Sequence, residues 1–415
     1  MTGLHHFPSP ISCSPRAMRA LTWLLAIRQH TSSLSGWHAS LVLLGLLFAN
    51  PIAAQVLDTQ FVPSFNNDVR AIARQSDGTV IVGGNFDRVN GQDRYALARL
   101  SAAGVLLPNI PATPNAPALA LAVDSGNRII VAGSFSGLGT FQSRNVARLN
   151  ADGTVDTMFV SGLLNNGSSE VSAVAVLPNG KIVITGSFYT SAARTKIAVL
   201  NADGSVHTNF DRPDLSAPLA MAVTQNDQIL VAANFSDEDP RCTSYCVIRL
   251  DVNGVIDTSF AATMVGPAKH MSVQANGRIL VTGAIGQIDT HLTNYVARIM
   301  PNGGADNSFS NLEMRYGSMA VIHEQADGTI LVAGNFRWQS AGTSVNRVAR
   351  LTSSGARYAA FNDPEFNGLI KAVSVSPNMD FIVGGLFDFA NGAARNHIAR
   401  FATTRPDPVY ANGFD

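Results

Sequence analysis

Charge is in short supply in this chain. Asp, Glu, Lys and Arg together make up 14% of its 415 residues, against about a quarter in an ordinary soluble domain. The 29 basic and 29 acidic residues cancel. With Arg16, Arg19 and Arg28 of the first 54 residues set aside, 26 basic residues face 29 acidic ones. A nucleic-acid binder needs a basic stripe, so that class is excluded. Cysteine is nearly absent, with Cys13, Cys242 and Cys246 the whole complement, and no second Cys or His pair lies near the last two to complete a zinc site. No apolar run beyond residue 54 approaches the roughly 20 residues needed to cross a bilayer as a helix. Catalytic signatures are missing too. GSFSG (133–137) has Phe135 where a nucleophile elbow needs serine, and no H-E-x-x-H, Walker loop or C-x-x-C occurs.

What is present begins with a leader. Three arginines precede the apolar stretch LVLLGLLFA (41–49), and small residues follow at Ala53 and Ala54. This is the order of a secretory signal peptide, so residues 1–54 read as a leader, starting at Met1 or Met18 and cleaved after Ala54. An uncleaved anchor is the alternative, helped by the apolar patch 21–27. Export places the protein in the periplasm, on the surface or outside the cell. In such an oxidising compartment Cys242 and Cys246 are expected to form a disulfide.

The remaining chain is dominated by self-similarity. DGTVIVGGNF (77–86), NRIIVAGSF (127–135), NGKIVITGSF (179–188) and NDQILVAANF (226–235) are followed by NGRILVTGAI (276–285), DGTILVAGNF (327–336) and MDFIVGGLF (379–387). Their ends step by 49, 53, 47, 50, 51 and 51 residues. About 13 residues after each comes ALARL (96–100), VARLN (146–150), IAVLN (197–201), VIRLD (247–251), VARIM (296–300), VARLT (348–352) or IARFA (398–402). Each copy parses into four short strands; in the second these are 119–124, 128–135, 145–150 and 154–159, with tight turns at Ser125-Gly126 and Asp152-Gly153. The expected fold is all-β: a seven-bladed β-propeller of four-stranded antiparallel blades over residues 55–404. The fourth-strand motif D-x-x-F is missing from the seventh copy but occurs as LDTQF (57–61) at the other end of the chain. The N-terminal strand is therefore expected to pair into the last blade and close the ring, because an open ring leaves a bare sheet edge.

These motifs resemble the bacterial delta-60 repeat, a propeller-type repeat of exported and surface proteins with the core D-G-x-I-L-V-x-G-x-F followed by I-A-R-L-x-x-D-G-x-x-D-x-x-F. The resemblance covers residues 57 to about 404; Ala233, Ile285 and Val199 depart from it. It implies a propeller and an exported setting, and brings no catalytic positions.

Several residue sets carry possible chemistry. An arginine recurs as Arg99, Arg148, Arg249, Arg298, Arg350 and Arg400, with an Asp eight residues on in Arg148/Asp156, Arg249/Asp257 and Arg298/Asp306; Asp58 would serve Arg400. Across a short hairpin these pair, so a structural role is expected rather than an anion site. The third copy carries Val199 and His207 instead. The phenylalanines of both motifs are expected between blades. His207, His270, His291, His323 and His397 fall in different copies. No cofactor is implied; calcium at Asp237, Glu238 and Asp239 is the alternative to a solvated acidic run. The longer loops after the second strands share a face with the blade connections, which makes Asp87, Arg88, Asp237, Glu238, Asp239, Arg337 and Trp338 the candidate ligand or partner face. The functional expectation is a monomeric, non-catalytic binding module for an extracellular protein or polysaccharide; the alternative is an extracellular hydrolase or lyase with its site at the propeller mouth. Residues 405–415 form a tail ending in NGFD.

Overall fold

The computed structural model describes residues 55–111, 113–164, 169–190, 194–210, 217–234, 242, 244–310, 314–338 and 346–403. The leader, the C-terminal tail and Asp237, Glu238 and Asp239 lie outside them. The fold is propeller-like and all-β, with no helix among the described residues.

Seven sheets of three or more strands follow one another along the described chain. They begin with Val69–Arg74, Ala118–Val123, Glu170–Val176, Ala217–Val223, Ala268–Val273, Met314–Glu324 and Leu369–Val375, called here the inner strands. Each inner strand pairs antiparallel with the β-branched run that follows it, and that run pairs with the A-R-L segment. Second strands such as Val80–Gly84 and Ile129–Gly133 are buried along their whole length, as expected of strands covered on both faces. Seven apolar clusters hold the sheets together, each shared by two sheets; that of Phe61, Phe65, Val80 and Val82 also takes in Ile382 and Ile398 of the last sheet.

The turns at Ser125-Gly126 and Asp152-Gly153 are tight, each closing over three residues. In the second sheet, Asp124 N–H donates to Arg128 O (3.0 Å) and Asn127 N–H to Asp124 O (2.9 Å), with Asn127 at φ 60°. This is a three-residue loop whose last residue is left-handed. In the first sheet Gly78 takes that place, so the recurring D-G serves the left-handed position.

The fourth strand differs from the form expected. Leu100, Leu149, Leu200, Ile299 and Leu351 each make one isolated bridge, to Leu106, Val155, Val206, Ala305 and Arg357. Among the described residues only Ile256–Val265 forms a long fourth strand. In the second sheet the chain turns at Asp156, whose Oδ1 accepts the Met158 N–H (3.0 Å), and Phe159 N–H closes onto Asp156 O (3.1 Å). A side chain that caps its own backbone in this way competes with the ladder. Gln55–Leu57 pairs antiparallel with Ile398–Thr403, Gln55 opposite Thr403 and Leu57 opposite Phe401.

The arginines bond both within their own sheet and to the next. Arg148 Nε lies 2.7 Å from Asp156 Oδ2, Arg249 Nη2 2.6 Å from Asp257, Arg298 Nε 2.7 Å from Asp306 and Arg400 Nε 2.7 Å from Asp58. Each guanidinium stacks 4.6–4.8 Å from the ring of Phe159, Phe260, Phe309 or Phe61. A remaining N–H reaches a turn carbonyl of the following sheet, Arg148 to Ala202 (2.5 Å), Arg249 to Pro301 (2.7 Å), Arg298 to Ser353 (2.5 Å) and Arg99 to Ala151 (3.0 Å); Arg400 of the last sheet reaches Ala102 of the first. Arg350, with Tyr358 in place of the Asp eight residues on, bonds Gln325 Oε1 (2.6 Å) and lies 3.5 Å from Asp327 Oδ2. In the third sheet His207 bridges Lys181 and Asn253, both at 3.2 Å.

Candidate functional site

The inner strands share one irregularity. In all seven the register against the second strand slips at the same place, between Val69/Ala71, Ala118/Ala120, Val171/Ala173, Pro218/Ala220, Ala268/His270, Met319/Val321 and Ile370/Ala372. The bulge positions hold Arg70, Leu119, Ser172, Leu219, Lys269, Ala320 and Lys371. Six of the seven sheets carry the repeat's glycine opposite the residue before the bulge, where a Cβ on Gly133 would run into Pro117 O and one on Gly385 into Leu369 O; the fourth has Ala233 there and bulges all the same. Bulges re-aim side chains, and here Arg70, Leu119, Ser172, Lys269 and Lys371 are aimed inward.

All seven inner strands line one cavity of about 460 Å³, within the range of small-molecule sites. Much of its wall is apolar, with Ile72, Leu121, Val174, Met221 and Val373 beside small residues such as Ala71, Ala120 and Ala173. Its polar lining residues are Arg70, Lys269, Lys371, His270, His323, Ser172 and Thr185; no carboxylate lines it among the described residues. Asp68 stands just outside, its Oδ2 2.8 Å from Arg70 Nε and 2.5 Å from Lys371 Nζ. Lys269 lines the cavity with no ion-pair partner among the described residues.

Sequence distance separates His270 from His323, but the structure brings them together. Their rings meet edge to face with centroids 5.1 Å apart. The Ile322 N–H donates to His270 Nδ1 (3.4 Å), which leaves the ring proton on Nε2. Burial pushes His270 down to about 3, helped by the neighbouring His323, and pushes His323 down to about 4. Both are neutral at pH 7. The signal that finds this pair is the repeat phase: His270 directly follows its bulge, and His323 lies two residues further along the next inner strand.

The loop residues singled out in the sequence do different work. Asp87 accepts from Asn66 Nδ2 (2.5 Å), and its N–H and that of Arg88 donate back to Asn66 Oδ1 at 3.1 and 3.0 Å. Arg88 Nε sits 3.4 Å from Asp93 on an exposed two-stranded ribbon. These contacts brace the loop against the connection entering the first sheet. Arg337 and Trp338 are not in a loop: they end the strand Ile330–Trp338, opposite Arg315 and Met314. The pairing extends because Met314–Glu324 is 11 residues long. Cys242 and Cys246 form a disulfide, Cα atoms 5.8 Å apart, with both residues buried in the core between the third and fourth sheets.

The sequence matches the family described as "Domain of unknown function (DUF5122) beta-propeller" over residues 75–106, 127–159, 177–210, 274–309 and 325–357. The matches support a β-propeller-type repeat family. No curated protein matches the chain by sequence. Among solved structures, the WD40 β-propeller domain of Doa1 is similar, with TM-score 0.52 and 13% identity over 85% of this chain and 98% of that one. The extracellular domain of the B. thetaiotaomicron protein BT3049 is similar with TM-score 0.53 and 12% identity, over 86% of this chain and 41% of that one. The virginiamycin B lyase of Staphylococcus aureus aligns with TM-score 0.49 and 13% identity, over 82% and 98%. Likeness at these identities speaks to fold alone.

Proposed function

We propose that the chain is an exported seven-bladed β-propeller, closed by its N-terminal strand, that works as a non-catalytic binding module with its ligand site in the central cavity. The observation that carries this reading is a cavity to which every inner strand contributes. Closure is supported by the contact between Val69–Arg74 and Leu369–Val375, by the Gln55–Leu57 pairing and by the Asp58–Arg400 pair. The order of arginines, apolar run and small residues in 1–54 supports export. The strands that wall the cavity are each held in a sheet, which suits a preformed site.

The second reading, a hydrolase or lyase acting on an extracellular polymer, draws on the His270–His323 contact. A general base for neutral pH needs a pKa near the working pH, and histidines held near 3 and 4 are poor bases there. Binding is therefore favoured. The test is N-terminal sequencing of the exported protein, followed by incubation with extracellular polysaccharides and proteins. The binding reading expects a chain starting at Gln55 that captures a component without converting it. Turnover lost in both His270→Ala and His323→Ala would establish the enzyme instead, and retention in the cytoplasm with residues 1–54 intact would remove export.

A further inference from the structure

We propose that the central cavity is a site for a small organic anion carrying two or more negative charges, held by Arg70, Lys269 and Lys371. This rests on the binding-module reading and names the chemistry of its ligand. The seven bulge positions are equivalent by the repeat, yet three carry cations and none an acid. The chain beyond the leader is slightly acidic, with 26 basic residues against 29 acidic, so positive charge has been gathered at the one place where seven strands converge. Three cations line the cavity, and Asp68 alone among the described residues answers them, contacting Arg70 and Lys371. That leaves a net positive wall in a recess with low-dielectric sides, where a field is focused rather than screened.

The rest of the wall fits an organic ion better than a bare inorganic one. Neutral His270 and His323, with Ser172 and Thr185, give uncharged polar contacts, and the Ile, Leu, Val and Met side chains would cover a carbon skeleton. The volume, about 460 Å³, is several times that of a single phosphate group, so an inorganic ion would leave much of the recess to water. A polymer would have to thread a space walled by strands on every side, which favours a small molecule.

The experiment is calorimetric titration of the purified chain with citrate, inorganic phosphate and the neutral trisaccharide maltotriose, at low salt and again at high salt. Citrate is expected to bind and to weaken with added salt, with phosphate weaker. Lys269→Gln and Lys371→Gln should each reduce citrate affinity roughly tenfold to a hundredfold, as loss of one charge-assisted hydrogen bond does. Arg128→Gln, at the far turn and paired with Asp124, should leave affinity unchanged. The Lys269 variant is the cleaner of the two, because it breaks no ion pair among the described residues, and an unaltered melting temperature separates lost binding from misfolding. Phosphate binding as tightly as citrate would replace the organic ligand by an inorganic one and overturn the proposal. So would citrate binding indifferent to both lysines, or no anion binding at all. Maltotriose binding alone would overturn the anion chemistry while leaving the binding module standing.

Discussion

Replacing Phe61 by alanine tests how firmly the first strand is held. Phe61 is fully buried, four residues past the strand Gln55–Leu57. Its ring packs with Phe65, Val80, Val82, Leu100, Ile382 and Ile398, drawing on the first and last sheets together. The Arg400 guanidinium stacks 4.8 Å above it, and Asp58 holds that arginine while its Oδ1 accepts the Gln60 N–H at 2.8 Å. Removing a buried phenylalanine forfeits its transfer free energy and leaves a cavity, together about 3–5 kcal/mol. The matched comparison is Phe159→Ala, an equally buried ring under Arg148 whose ion-pair partner is only eight residues away. Urea unfolding followed by far-ultraviolet circular dichroism, with the disulfide intact, should show both variants losing similar stability. If Phe61→Ala costs less than about 1 kcal/mol while Phe159→Ala costs the full amount, the N-terminal segment is only loosely attached and the closure argument fails.

Gly104→Ala should cost more than Gly91→Ala. Both have positive φ, 86° and 76°, which penalises a side chain by roughly 1–2 kcal/mol, but only the Gly104 Cβ would come within 2.6 Å of the Phe61 ring; equal melting temperatures would contradict that packing. Reduction of Cys242–Cys246 should lower stability by about 2 kcal/mol on the chain-entropy relation, read as a shift in urea midpoint with and without dithiothreitol. Stability should fall on acidification from about pH 6.5 toward 4, because the unfolded chain takes up protons at His270 and His323 that the folded one refuses until about 3 and 4. A double variant, His270→Gln with His323→Gln, should flatten the curve in that window, and an unchanged slope would show that neither ring is held neutral. Further loss below about pH 4 comes from His270 down to about 3 and from carboxylates such as Asp257, held down to about 2 by the Ser259 hydroxyl and Arg249.

The repeat is legible in the sequence because each of its features recurs in phase. The β-branched run needs burial on both faces, and the Asp folds its own turn. The Arg and the Asp eight residues later can be matched on spacing alone, since a short hairpin leaves them few other places to go. The second half of each arginine's task, reaching Ala202, Pro301 or Ser353 in the following sheet, depends on how sheets pack and has no local trace. The same limit hides the cavity wall. Arg70, Lys269 and Lys371 are each about a hundred or more residues from their nearest fellow, and only aligning the inner strands on their bulges shows that they are one position seen three times. Arg337 and Trp338 read as loop because the motif normally ends at Phe336; the unusually long partner Met314–Glu324 carries the ladder past it.

The guanidinium links between neighbouring sheets have a consequence for how the chain finds its partner order. An arginine that grips a backbone carbonyl is indifferent to which copy supplies it, so a repeat skipped during folding would meet an acceptor of the same kind. The junction of the third and fourth sheets is different, since His207 there joins Lys181 to the Asn253 side chain. It and the joint after the sixth sheet, where Gln325 Nε2 reaches Met379 O (3.2 Å), stand apart from the five joints made by an arginine on a carbonyl. Making the His207 joint uniform, with Val199→Arg and His207→Asp, should leave the native contacts satisfied yet lower the yield of correctly ordered chains on refolding; an undiminished yield would mean that order is set elsewhere.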